Sequence, residues 1–166
     1  PAVALKLPEG ETIVPNSIAF DTTPENAMIY VLTGPNRGGK SVITCAVGLC
    51  QVMLQLGMFL PADTCRISPA DGIYTHFPTG ADDTIDKGRL GEECARLGEI
   101  FDAVTADSLV LLDESLSSTG SFEASYIAAE VLMGLCRVGC RCLFSTHLHE
   151  LAAEIDRINA QSAGML

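Results

Sequence analysis

Apolar residues along this chain come in two rhythms. Short, solid runs of β-favouring residues alternate with longer stretches where apolar positions return every three or four residues. The run Met28-Ile29-Tyr30-Val31-Leu32 predicts a strand over 28–33. Leu109-Val110-Leu111-Leu112 is apolar at every position, the mark of a parallel strand covered on both faces. Arg141-Cys142-Leu143-Phe144-Ser145 predicts a further strand, and Cys65-Arg66-Ile67 and Ile73-Tyr74-Thr75-His76 predict shorter ones. Leu90, Cys94, Leu97, Phe101 and Val104 keep helical spacing, with Glu92, Glu93, Arg96 and Glu99 off that stripe. Helices are also predicted over 41–57, 123–138 and 148–159, with loops over 78–88 and 115–121. The first 24 residues are turn-rich, with short extended pieces at 12–14 and 17–20. This β-α-β alternation predicts an α/β fold: an open, mostly parallel sheet with helices on both faces.

One helix tests the pattern. Residues 42–62 carry no charge, and their length matches a bilayer span. Lys40 and Ser41 open the segment, and Gly57 and Pro61 break its end. It is therefore read as a helix buried on most sides, with no membrane anchor implied. Composition agrees with a folded domain: 166 residues, 48% hydrophobic and 19% charged. Acids outnumber bases 21 to 10, for a net charge of −11. That opposes a broad nucleic-acid-binding face, which needs clustered Lys and Arg. Seven cysteines and no secretory leader predict reduced thiols in a cytoplasmic protein. Cys45, Cys50, Cys136 and Cys142 sit in apolar patterns and are expected to be buried. Cys136, Cys140 and Cys142 lack the paired spacing of a zinc site. The last residues, 161–166, carry no stop signal, and the chain is expected to be a piece of something longer.

The chemistry concentrates after the first strong strand. Gly34-Pro35-Asn36-Arg37-Gly38-Gly39-Lys40-Ser41 fits G-x-x-x-x-G-K-S, and it stands between a strand and a helix, as that motif requires. Its glycines let backbone amides turn inward around an anion. Lys40 can reach the terminal phosphates of a nucleotide, and Ser41 can offer a hydroxyl to Mg²⁺. The helix starting at Ser41 and Val42 points its positive end at the same phosphates. Asp113-Glu114 closes the apolar strand 109–112, which is expected to lie beside the strand feeding the loop. Asp113 suits an Mg²⁺ site reached partly through water, and Glu114 suits the orientation of an attacking water. His147 follows another strand end, so it joins the same rim, where a neutral imidazole can donate to a γ-phosphate or to water. His149 lacks that placement and is read as a surface residue.

Three segments together are more specific than the loop alone. Thr33-Gly34-Pro35-Asn36-Arg37-Gly38-Gly39-Lys40-Ser41, Leu111-Leu112-Asp113-Glu114 and Ser145-Thr146-His147-Leu148-His149-Glu150-Leu151 resemble the ATPase domain of the MutS family. The resemblance extends over about residues 1–151. It takes in Gly57-Met58-Phe59-Leu60-Pro61-Ala62, Asp82-Asp83, and the loop with Thr119 and Phe122. It implies a P-loop, ABC-ATPase-like fold over residues 1–166, with ATP and Mg²⁺ as ligands. It also implies a homodimer that sandwiches ATP, with loop 115–121 carrying signals across the joint. Asn16 and Ile13 fall where the family's N-terminal segment approaches the adenine. Any DNA contact would come from regions outside this chain.

Two positions depart from the family pattern. Arg37 stands in the loop where the family usually has a hydrophobic residue. The family also carries a serine-bearing signature before the helix equivalent to 90–104. Here Asp86-Lys87-Gly88-Arg89-Leu90-Gly91-Glu92-Glu93 has no serine or threonine. The Gly88 and Gly91 backbones, with Lys87 or Arg89, are expected to make that trans contact instead. Two functions follow. One is an Mg-dependent ATPase driving a DNA-associated, mismatch-repair-like activity. The alternative is a nucleotide-gated dimerisation module with little hydrolysis and no direct role in mismatch repair.

Overall fold

The computed structural model describes residues 14–21, 23, 27–35, 37–77, 89–116 and 119–161. Four strands and four helices alternate: β1 (Ile29–Thr33), α1 (Lys40–Gln55), β2 (Ile73–His76), α2 (Arg89–Ala103), β3 (Leu109–Asp113), α3 (Ser121–Val138), β4 (Arg141–Thr146) and α4 (Leu151–Gln161). The strands form one parallel sheet in the order β1-β4-β3-β2. The α/β class and the parallel sheet thus agree with the periodicity. The strand order does not match the expectation that the Asp113 strand lies beside the loop strand. β4 separates β3 from β1, with Asp113 in register with Ser145 and Thr33 with Thr146. Run-and-period patterns fix elements but not their lateral order. That order is set by which crossover helices share a face.

Period-two alternation on β3 divides the core. Leu109 and Leu111 join Leu143 and Ala70 on one side of the sheet, with Val47 of α1 packed against them. Val110 and Leu112 face the other side, with Phe144, Leu132, Leu135, Leu151 and Ile158 from β4, α3 and α4. Each face is therefore covered by helices, as a parallel sheet requires. Gly48 allows α1 to lie close on β3, since a Cβ there would come within 2.6 Å of Leu111 Cδ1.

Three local expectations are corrected. Residues 65–67 are not a strand. The carbonyls of Ser68 and Ala70 instead accept from the side-chain amides of Gln51 and Gln55, so α1 side chains take the place of a ladder. α4 begins at Leu151, because Thr146 Oγ1 accepts the Leu148 N–H and holds a turn first. α1 is not buried on most sides. Lys40, Thr44, Gly48 and Gln51 form its one buried face. Val42, Cys45, Leu49, Val52 and Leu56, at alternating three- and four-residue spacing, are exposed. Cys45 is therefore not the buried thiol expected, whereas Cys136 and Cys142 are buried and Cys50 partly so. Among the described residues, no helix is long and apolar enough to cross a membrane. The N-terminal piece 17–20 makes one isolated bridge, Phe20 with Ala27, and packs on β1 through Tyr30, whose hydroxyl donates to Ala19 O at 2.7 Å.

Candidate functional site

The C-terminal ends of β1, β4 and β3 meet at one rim. Parallel strands lie about 4.8 Å apart, so the loop after β1 and the residues after β3 stand on either side of β4. His147, just past β4, falls between them. Arg37, Gly39, Lys40, Ser41, Val42, Glu114 and His147 line a single open cleft of about 540 Å³.

The loop has the backbone its glycines predict. Gly39 sits at φ 87° and leads into α1 with no side chain capping the helix. The first amides of a helix have no partner within it, so an uncapped first turn presents them to the cleft. Arg37, a non-glycine residue, is also left-handed at φ 67°. The Gly38 N–H donates to Pro35 O at 3.1 Å and closes the turn.

Lys40 is 7% exposed, and its ammonium is fully engaged. It donates to Gly34 O at 2.8 Å and Pro35 O at 3.1 Å, and lies 3.5 Å from Glu114 Oε1. A buried ammonium needs such partners. Two of them are carbonyls of its own loop, which an anionic ligand can replace with stronger acceptors.

Glu114 bridges the cleft. Its Oε1 faces Lys40, and its Oε2 accepts from His147 Nδ1. A carboxylate only accepts, so the His147 proton in this contact sits on Nδ1. The neutral ring then presents Nε2 as an acceptor, and it donates from Nε2 only when protonated. This revises the expectation of a neutral imidazole donating to phosphate. Glu114 itself is left-handed at φ 50°, and its N–H donates to Ser145 O at 2.9 Å.

Asp113 lies beneath the cleft, 3% exposed, with Ser145 Oγ donating to its Oδ1. Its charge reaches the first turns of α1. Burial first, and then the Asp113 carboxylate, push the Cys45 thiol above its ordinary value. Cys45 is one turn beyond Ser41. Ser41 is exposed and lines the cleft, Asp113 is buried at the end of β3, and both carry hard oxygen donors of the kind Mg²⁺ takes. Among the described residues, no three His, Cys, Asp or Glu are grouped to hold a metal by themselves.

Other expected residues lie elsewhere. Asn16 is exposed, donates to Val14 O at 3.1 Å, and does not line the cleft. Ile13, Asn36, Lys87 and Gly88 fall outside the described residues, as does the Arg89 side chain. Gly91 is in the first turn of α2. His149 is exposed, as expected. Sequence reasoning missed Ser145, whose register opposite Asp113 follows only from the strand order. It also missed His76 and Ser115, which share a buried hydrogen bond of 2.7 Å directly behind Glu114.

Comparison with known proteins bears on this rim. Residues 30–164 match the family model MutS domain V. This chain belongs to the MutS family. Over 163 residues it is 37% identical to the DNA mismatch repair protein MutS of Salinibacter ruber, covering 95% of this chain and 18% of that protein. It is 38% identical over 156 residues to human DNA mismatch repair protein Msh6, covering 89% and 11%. It is 42% identical over 142 residues to a probable DNA mismatch repair protein Msh6 of Drosophila melanogaster, covering 84% and 12%. The chain thus spans less than a fifth of the length of these MutS-family relatives. The matched region contains the loop, Asp113-Glu114 and His147 together.

Proposed function

We propose that this chain is a P-loop, ABC-ATPase-like domain that binds Mg-ATP and hydrolyses it to ADP and phosphate within a longer MutS-family protein. One observation carries the reading. The engaged ammonium of Lys40 and the Glu114–His147 pair open on the same cleft, beside the uncapped start of α1. A triphosphate laid there meets the free amides of residues 39–42. Lys40 exchanges its loop carbonyls for phosphate oxygens and stabilises charge on the transferring group. Ser41 and Asp113 would hold Mg²⁺, which when bound neutralises charge on the β- and γ-phosphates. Glu114 accepts a hydrogen bond from the attacking water and aligns it with the γ-phosphorus. The new bond forms from that water oxygen as the bond to the bridging oxygen breaks and ADP leaves. His147 holds Glu114 through Nδ1 and, when its ring is protonated, donates from Nε2 on the γ-phosphate side. Asn16 and Ile13 are the proposed adenine contacts.

The proposed assembly is a homodimer closed around ATP. In that assembly loop 115–121 would carry signals across the joint, and Phe122, 81% exposed at the start of α3, would bear on the partner. The relatives named above are mismatch repair proteins, and the same role is proposed for the longer protein. Its DNA contacts would lie outside these residues, whose net charge is −11.

The test is phosphate release by the concentrated full-length protein, with binding of a slow-cleaving ATP analogue and Mg²⁺. Saturable binding with turnover is expected. Binding without turnover would favour a nucleotide-gated dimerisation module, and no binding at millimolar analogue would end both readings.

A further inference from the structure

Glu114 holds an unusual backbone. A non-glycine residue in the left-handed region is uncommon, and it persists only where its surroundings over-determine it. Glu114 is at φ 50°, and Leu116, two residues on, is at φ 67°. Ser115 is held between them. Three contacts fix this turn from below. The Glu114 N–H donates to Ser145 O at 2.9 Å, and the Leu116 side chain is 1% exposed in the core. The third contact is polar and distant in sequence: Ser115 Oγ and His76 Nδ1, 2.7 Å apart, both buried.

His76 ends β2, so the neighbouring strand anchors it. The charges of Glu93 and Arg96 on α2 act on its ring. Burial is the largest influence and holds its proton affinity below the usual histidine value, with Glu93 opposing and Arg96 reinforcing. A buried neutral imidazole and a buried hydroxyl each need a partner, and here each supplies the other's. Neither residue lines the cleft.

We propose that His76 and Ser115 are positioning residues, whose buried hydrogen bond fixes the turn that aims the Glu114 carboxylate at the attacking water. This rests on the ATPase reading above. The pair touches no substrate and acts only through the direction of Glu114. Misplacement of a catalytic group by 1 Å is enough to lower a rate about 100-fold.

The experiment uses the full-length protein and measures ATP turnover, nucleotide affinity and melting temperature. Ser115→Ala removes the hydroxyl with little change in volume. Turnover is expected to fall by roughly 10- to 100-fold, with nucleotide affinity changed by less than about 3-fold. Ser115→Thr restores a hydroxyl and is expected to recover most of the rate. His76→Ala combined with Ser115→Ala should be no slower than the slower single variant, because one interaction is lost once. Wild-type turnover in Ser115→Ala would overturn the proposal. So would equal loss in the Thr and Ala variants, or multiplied losses in the double variant. Should His76→Ala fail to fold, the two Ser115 variants decide alone. The underlying reading is judged separately on the wild type: turnover there with an indifferent Ser115→Ala sinks only the positioning role, while no turnover in the wild type sinks both.

Discussion

The sheet has two polar rims, and only one is built like a site. At the lower rim, before β2, β3 and β4 begin, Asp71 accepts from Ser108 Oγ at 2.7 Å and from Thr105 Oγ1. Ser108 Oγ in turn accepts the Thr105 N–H at 3.0 Å, and Arg141 donates to the carbonyls of Asp107 and Ser68. This network consists of donors and acceptors that serve one another. At the upper rim, Lys40 is held by its own loop's carbonyls, the start of α1 has no side-chain cap, and Glu114 bridges Lys40 and His147 across open space. Among the described residues, all three non-glycine residues with positive φ (Arg37, Glu114 and Leu116) belong to this rim. Both rims are rich in hydrogen bonds. They differ in strain and in partners that a ligand can displace, which is where function is expected to concentrate.

The largest way to break the contrast is Glu114→Gln. It keeps the shape of the side chain but removes the charge that orients water. Turnover is expected to fall about 10²- to 10⁴-fold, with nucleotide binding retained. Equal rates in the variant and the wild type would remove Glu114 from the chemistry. Next is Lys40→Ala, which deletes the charged donor. Nucleotide affinity, read by titration with a fluorescent ATP analogue, is expected to weaken roughly 10- to 100-fold. Undiminished affinity would mean that phosphate binds elsewhere.

The lower rim should respond in the opposite sense. Ser108 is fully buried, and its hydroxyl joins Asp71 to the Thr105 amide. Ser108→Ala is expected to lower unfolding stability by about 1–2 kcal/mol in urea titration while leaving ATP turnover as it was. Lost turnover with unchanged stability would reverse the assignment of the two rims.

Much of this contrast is legible in the amino-acid order, and some is not. The loop Gly34–Ser41, Asp113-Glu114 and His147 stand out because strand ends in a parallel sheet share one rim, so local patterns converge in space. Solid apolar runs likewise locate β1, β3 and β4. Lateral order is a property of the whole sheet, and so the insertion of β4 between β1 and β3 was not legible. With it went the pairing of Asp113 with Ser145. Residues 65–67 have the composition of a strand, yet the carbonyl that follows them is taken by Gln51, a side-chain partner that periodicity cannot reveal. The apolar outer stripe of α1 misled for a related reason. Composition shows that a surface is apolar, but it does not show whether anything covers it. His76 and Ser115 carry no motif at all, and they emerge only because β2 ends beside the turn after β3.

The smallest expected effect is also the sharpest comparison, because it titrates one rim without touching the other. Asp71 is exposed, and its carboxyl is held below the ordinary value of 3.8. The hydrogen bond from Thr105 is the largest cause, followed by that from Ser108. Both donors favour the ionised form in the folded chain. The unfolded chain therefore binds a proton at higher pH than the folded one does. The resulting stabilisation is present above pH 3.8 and fades as pH falls through the lower folded value. Asp71→Asn has no such group to titrate. The difference in urea midpoint between wild type and Asp71→Asn should thus be constant near neutrality and shrink as pH drops below 3.8. ATP turnover at neutral pH should be the same in both. A midpoint difference that stays flat through the acid range would show that the lower rim does not hold Asp71 by its charge. A loss of turnover in the variant would show that the two rims are coupled through the strands that join them.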